Sequence, residues 1–409
     1  MPQTVTAQGD LAKVAPLHPT VRALGVVSLL NDLSSEVAVR TLPLFLANVL
    51  GVRASIIGLI EGIAESTATL LKLVSGHISD RIGKKKALTL WGYGLSNLTK
   101  PLLYFAGSWT IILLVRFLDR VGKGVRSAPR DALIADVTPP EYRGRAFGFN
   151  KAMDKAGGLI GVLLAAGVLY LTERDAVSLT WESYQWLVLL AVLPGLAAVA
   201  IVMKWVDERP AAPLKVSTRL LWSQMGGRFW AFIGILVVFT LGNSSDAFLM
   251  LRAQTLGLSL VEIFLLVALF NFVISATSTK GGALSDSFGR RGLIVAGWLI
   301  YAAIYFGLAS ASSQWHMWAL YAGYGLYYGA FQGASSALIA DLVPQQLRGT
   351  AYGIFNAALG VAALPASLIA GILWDGYGPA APFLFGGGLS ILAVGGLLML
   401  PAGKVSSEQ

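Results

Sequence analysis

Apolar runs of about 20 residues, each long enough to carry a helix across a bilayer's hydrocarbon, recur along this chain almost to its end. They fall at 20–49, 55–75, 88–107, 109–135, 146–171, 184–205, 229–254, 258–279, 293–311, 315–340, 350–374 and 381–401. Backbone inside lipid must satisfy its own hydrogen bonds, and runs of this length do so as helices. The expected fold is therefore an all-α polytopic membrane protein with twelve transmembrane helices. The scarcity of charge agrees: 13% of the 409 residues are Asp, Glu, Lys or Arg, against about a quarter in soluble domains.

A net charge of +9 fits a nucleic-acid binder as well as a membrane protein, so the placement of the bases decides. Arg81 and Lys84 to Lys86, Arg143 and Arg145, Arg209 to Arg228, Arg290 and Arg291, and Arg348 all fall in even-numbered connections. The odd-numbered connections hold chiefly Arg53 and Arg174. The positive-inside rule then puts both termini in the cytoplasm of a multi-pass inner-membrane protein, and argues against a nucleic-acid partner. The polar residues 1–19 lack the regions of a cleaved signal peptide, so the first span is expected to act as its own signal. With no Cys and three His, no metal site and no cofactor are expected. No Walker loop, HExxH or GxSxG is present, which speaks against an enzyme and for an ion gradient as the energy source.

The chain repeats itself at a separation of about 205 residues. GHISDRIGKKKAL (76–88) echoes GALSDSFGRRGL (282–293), and ALIADVTPPEYRGRAFG (132–148) echoes ALIADLVPQQLRGTAYG (337–353). A weaker echo pairs SSE (34–36) with SSD (244–246) once a few residues are inserted. The organisation expected is a tail over 1–19, a six-helix half over 20–205, a cytoplasmic linker over 206–228, a second half over 229–401 and a tail over 402–409. Parallel repeats about an axis along the membrane normal are a transporter plan, with the substrate between the halves near the midplane.

On these residues the chain resembles the major facilitator superfamily over essentially its whole length. The family's loop motif G-x-L-x-D-R-x-G-R-K is met by Gly76, Asp80, Arg81, Gly83, Lys84 and Lys85, and again by Gly282, Asp286, Gly289, Arg290 and Arg291. The resemblance implies a charge network that latches the halves, drawing on these residues with Asp136 and Arg143 and, in the second half, Asp341 and Arg348. RFLDRVGKG (116–124) matches the family's RFLQGLGAG, which implies a role in proton handling for Arg116. Asp119, Arg120 and Lys123 depart from that pattern.

Span 4 crowds Arg116, Asp119, Arg120, Lys123, Arg126, Ser127, Arg130 and Asp131 into an arc of roughly 140°. Charge in a bilayer costs about 3 kcal/mol or more per group unless it meets water or a partner. A polar cavity is expected on that side, with a cationic wall, although ion pairs within the helix would account for Arg126, Arg130 and Asp131. The matching helix of the second half offers Tyr321, Tyr324, Tyr327, Tyr328, Phe331 and Gln332, an aromatic and polar wall. Candidate substrate contacts are Arg40, Arg116, Asp119, Arg120, Lys123, Asn150, Lys151, Tyr324, Tyr328 and Gln332.

Counter-charges come from one face of helix 1 (Asp32, Glu36, Arg40) and one of helix 2 (Glu61, Glu65, Lys72). A carboxylate that exchanges between a desolvated setting and a nearby base couples protonation to motion. Glu36 leads that list, followed by Asp32, Glu65, Asp154 and Asp246. On helix 5 Gly148, Gly157 and Gly161 follow the family's antiporter motif in part, and glycines there also serve plain helix packing. Lys100, beside Pro101, is expected to snorkel toward the outer interface.

The expected function is ion-gradient-driven, proton-coupled transport of a small anionic or zwitterionic solute by alternating access, with export ahead of uptake of an organic anion and of multidrug efflux. A receptor or scaffold that keeps the fold without transport is the non-transport alternative. The expected partners are the solute, protons or another coupling ion, and the lipid bilayer, around a monomer.

Overall fold

The computed structural model describes residues 17–82, 84–208, 225–344 and 347–400. The side chains of 76–78, 80–82, 279–288, 330–334, 336, 337 and 340 lie outside the described residues. The latch candidates Gly76, Asp80, Arg81, Gly83 and Asp286 and the wall candidate Gln332 fall there.

Among the described residues, fourteen α-helices build twelve spans. They are α1 (Pro19–Arg40), α2 (Leu42–Asn48), α3 (Ala54–Ile82), α4 (Lys85–Leu98), α5 (Trp109–Asp136), α6 (Arg143–Thr172), α7 (Trp181–Trp205), α8 (Gly227–Gly242), α9 (Ala247–Thr255), α10 (Leu260–Phe288), α11 (Arg290–Ser310), α12 (Gln314–Leu342), α13 (Arg348–Tyr377) and α14 (Ala381–Met399). Among the described residues, eight spans, one of them α8 and α9 together, are long and apolar enough to cross a membrane by length and composition alone. The charges of α1 and α5 keep those two out of that set.

Three spans expected to be continuous are broken, two of them at a proline. Span 1 breaks at Thr41 because Pro43 cannot donate into the helix and its ring crowds the preceding turn. The Thr41 N–H takes the Val39 carbonyl that Pro43 leaves without a donor, and the Thr41 hydroxyl donates to the carbonyls of Val37 and Ala38, at 3.0 Å each. Span 7 breaks over Asn243 to Asp246, where the Ser245 hydroxyl accepts from the Ala247 N–H at 3.2 Å. Span 3 passes at Pro101 from α4 into a 3-10 turn, Lys100–Phe105. The first span of each half is thus interrupted, and both interruptions lie beside the central cavity.

Within the first half α1 packs on α6 and α7, while α5 packs on α3 and α4. Within the second, α12 packs on α10 and α11, and α14 on α8 and α11. The halves meet chiefly through α3 with α13 and α6 with α10. Small residues set these distances: a Cβ on Gly58 would lie 2.1 Å from the Ser367 carbonyl oxygen. Gly157 and Gly161 serve plain packing of α6 on α1, since Cβ atoms there would lie 2.1 and 2.7 Å from the carbonyls of Leu29 and Leu33.

The helices alternate in direction, so the described chain begins and ends on one face. At the opposite face the halves are tied together. Asp375 caps the start of α3, accepting from the Ala54 and Ser55 N–H groups at 2.9 Å each. Gln254 donates to Asn48 at 3.0 Å and to the Val177 carbonyl at 2.6 Å, and the Leu260 N–H donates to the Ala176 carbonyl at 2.9 Å.

Candidate functional site

Between the halves lies a cavity of about 450 Å³. The first half lines it with Asn31, Asp32, Ser35, Glu36, Val39 and Arg40 from α1, Pro43 from α2, Glu65 and Thr69 from α3, and Arg116, Asp119, Arg120, Lys123 and Arg126 from α5. The second half contributes Thr240, Asn243 to Ala247, Met250, Tyr328, Leu359, Ala363 and Ser367. The hydrophilic face of span 4 therefore does open onto a polar cavity.

Its electrostatics differ from a cationic wall. Five bases, Arg40, Arg116, Arg120, Lys123 and Arg126, meet five carboxylates, Asp32, Glu36, Glu65, Asp119 and Asp246. The carboxylates come mostly from other helices, so the charges of α5 are answered in three dimensions rather than along the helix. Arg116 Nη2 lies 2.5 Å from Glu61, with both side chains under a tenth exposed. Arg120 pairs with Glu65 at 3.2 Å and approaches Asp119 at 3.8 Å. Arg126 donates to Ser96 at 2.6 Å and sits 4.4 Å from the centroid of the Tyr93 ring.

Arg40 joins the two halves: it holds Glu36 at 2.9 Å and reaches Asp246 at 3.7 Å. Asp246 in turn accepts from the Tyr324 hydroxyl at 3.2 Å. Two lining groups stand apart from these pairs. Lys123 is exposed to the cavity and has no carboxylate within 4.0 Å among the described residues. Asp32 has no base within 4.0 Å there, and its Oδ1 accepts the Asn31 amide at 3.3 Å.

The structure brings Arg40, Arg116, Asp119, Arg120, Lys123 and Tyr328 to the cavity, together with Asp32, Glu36, Glu65 and Asp246. It does not bring the other described candidates there. Asn150 is buried against α1, accepting from Ser28 at 3.2 Å, because it lies on the face of α6 that packs on α1. Lys151, next in sequence, is exposed away from the cavity lining. Asp154 pairs with Arg130 at 3.7 Å, outside the lining. Tyr324 lies behind the wall, and the expected aromatic wall is instead a core cluster in which Tyr301, Tyr305, Tyr324 and Tyr327 are buried.

Two pairs of described latch candidates form, each within one half. Asp136 takes Lys85 at 2.6 Å, bracing the end of α5 on the start of α4, while Arg143 is exposed. Asp341 takes Arg290 in the corresponding place of the second half. Gly289 there has φ +72°, a left-handed turn natural to glycine. Lys84 and Arg348 lie exposed at the starts of α4 and α13.

Sequence reasoning missed Asn31, Asn243 and Ser244 as lining residues and misplaced Lys100. That lysine does not snorkel: it is fully buried and donates to Ser34, Ser35 and Asn97 at 2.8, 3.1 and 2.9 Å. Pro101 was the available signal, since it cannot donate into an α-helix and the chain passes there from α4 into the 3-10 turn that begins at Lys100.

Two six-helix halves around a charged central cavity, tied at one face, define a membrane transporter of the two-domain type. The sequence profile of the Major Facilitator Superfamily matches residues 24–330 and again 251–408. An uncharacterized MFS-type transporter of Methanocaldococcus jannaschii is 34% identical over 392 residues, covering 94% of this chain and 95% of that protein. The multidrug resistance protein MdtH of Photorhabdus laumondii is 29% identical over 143 residues, about a third of each chain. Among solved structures the nucleoside transporter NupG superposes with a TM-score of 0.77 at 11% identity, over 94% of this chain and 100% of that one. The chain belongs to the Major Facilitator Superfamily.

Proposed function

We propose that this transporter exchanges a small zwitterionic or anionic solute for protons across the cell membrane, in the direction of export. The observation that carries the reading is the pair of lining groups left out of the ion-pair network. Lys123 offers an accessible ammonium to the solute's carboxylate or phosphate. Asp32 can take either a proton or the solute's cationic group without breaking an ion pair, which is the requirement for exchange. Glu36 and Glu65 would each first have to release an arginine.

With the termini in the cytoplasm, as the distribution of Lys and Arg supports, the tied face is the outer one and the solute enters from inside. Rocking of the halves then requires release of Asp375 from α3, of Gln254 from Asn48, and of Arg40 from Asp246. The short match to MdtH favours export over uptake.

Proteoliposomes with an imposed pH gradient test this, using a panel of anionic, zwitterionic and lipophilic cationic solutes. A zwitterion or anion should accumulate against the proton flow, and Lys123→Ala should abolish that. Asp32→Asn should end proton-driven accumulation while leaving solute–solute exchange. Flux in the same direction as protons would establish uptake. Unaltered movement of lipophilic cations by Lys123→Ala would establish multidrug efflux, and a fully inert protein would leave the receptor reading.

A further inference from the structure

We propose that Lys100 is a specificity-determining residue of the cavity: a buried fixed cation, one side chain behind the wall, that biases the site toward the anionic group of the solute. The inference deepens the proposed function and rests on it for the solute's charge.

Lys100 is fully buried and has no carboxylate within 4.0 Å among the described residues. Its three partners are oxygens, matching the three N–H donors of an ammonium. Two of them are fixed as acceptors. The Ser34 hydroxyl spends its hydrogen on the Ala191 carbonyl at 2.6 Å. The Asn97 amide is oriented by its own nitrogen, which donates to the Tyr93 carbonyl at 2.9 Å and to Asn31 at 3.1 Å, so its oxygen faces Lys100. A neutral amine would have to point its lone pair at Ser35, the partner whose hydrogen is free to turn.

The charge is close to the cavity and shielded from lipid. Ser35 and Asn31 both line the cavity, so each route from Lys100 to the solute crosses one or two polar side chains. The Asn97 to Asn31 to Asp32 sequence of hydrogen bonds points every donor toward the Asp32 carboxylate. It engages Asp32 Oδ1 and leaves Oδ2 for the solute or a proton. On the far side the chamber is sealed by α7. Gly195 leaves room for the acceptors, since a Cβ there would lie 2.6 Å from Asn97 Oδ1 and 3.0 Å from Ser34 Oγ. A buried, un-neutralised charge acts through the surrounding protein over distances at which exposed charges are screened.

The absence of cysteine from the chain makes the test independent of any solute. Ala363, on the facing wall, is replaced by cysteine in the full chain. The rates of its modification by a trimethylammonium-ethyl and by a sulfonato-ethyl methanethiosulfonate are then compared, with the uncharged methyl reagent reporting access alone. Lys100→Met should raise the cationic-to-anionic rate ratio by about tenfold or more with little change in the uncharged rate. Asn97→Asp, which sets a carboxylate against Lys100, should move the ratio in the same direction and covers the case in which Lys100→Met fails to fold. A ratio unchanged within about twofold in a folded variant would overturn the proposal, because Lys100 would then be neutral or electrically remote. A shifted ratio in a protein that moves no solute would uphold Lys100 and defeat the transport reading alone.

Discussion

Asp246→Asn should loosen the tied face of the transporter. The substitution keeps an oxygen for the Tyr324 hydroxyl, which now bonds Asp246 at 3.2 Å, and removes the charge that faces Arg40 at 3.7 Å across the halves. Two unit charges at that separation attract by about 4 kcal/mol at an effective dielectric of 20. The side chains are 25% and 36% exposed, and such partly solvated pairs return about 1 kcal/mol. Arg40 keeps Glu36 at 2.9 Å, so the variant leaves no orphaned charge and should fold. A loss of about 1 kcal/mol raises the open fraction of that face about fivefold. Spin labels on cysteines placed at Ser178 and Tyr377, exposed positions in different halves at the tied face, would report it as a longer-distance population in pulsed dipolar spectroscopy. An unchanged distance distribution would refute the reasoning and leave Arg40 with Glu36 as its sole working partner.

Four other outcomes are expected. Arg116→Met strands buried Glu61, leaves Asp119 with Arg120 at 3.8 Å, and should destabilise by about 3–5 kcal/mol. Adding Glu61→Leu should recover most of that loss in thermal unfolding of the purified protein. Asp375→Ala removes both caps from the start of α3, costs about 1 kcal/mol, and should open the tied face in the same spectroscopic assay. Gly58→Ala forces α3 off α13 and should cost about 1–3 kcal/mol. Gly94→Ala, with nothing within 4 Å of its Cβ, should be neutral or slightly stabilising by the same thermal measurement.

The sequence by itself determined the helical, bilayer-spanning fold, the two-half repeat and the helix that carries the site. These follow from local quantities: the length of apolar runs, the spacing of echoes and the one-sided charge of residues 116–131. Tertiary structure decided which charges cancel. Glu61 and Arg116, or Arg40 and Asp246, stand 55 and 206 residues apart in the chain, and no helical periodicity relates them. It likewise turned Lys100 inward, moved Asn150 into the α1 packing face and withdrew Tyr321, Tyr324 and Tyr327 of α12 into the core, leaving Tyr328 at the cavity. A helix's polar face is written in its own residues, whereas what neutralises that face comes from whichever helices pack against it. Hence the location of the cavity was legible in the chain, and its net charge and unpaired groups were settled only by packing.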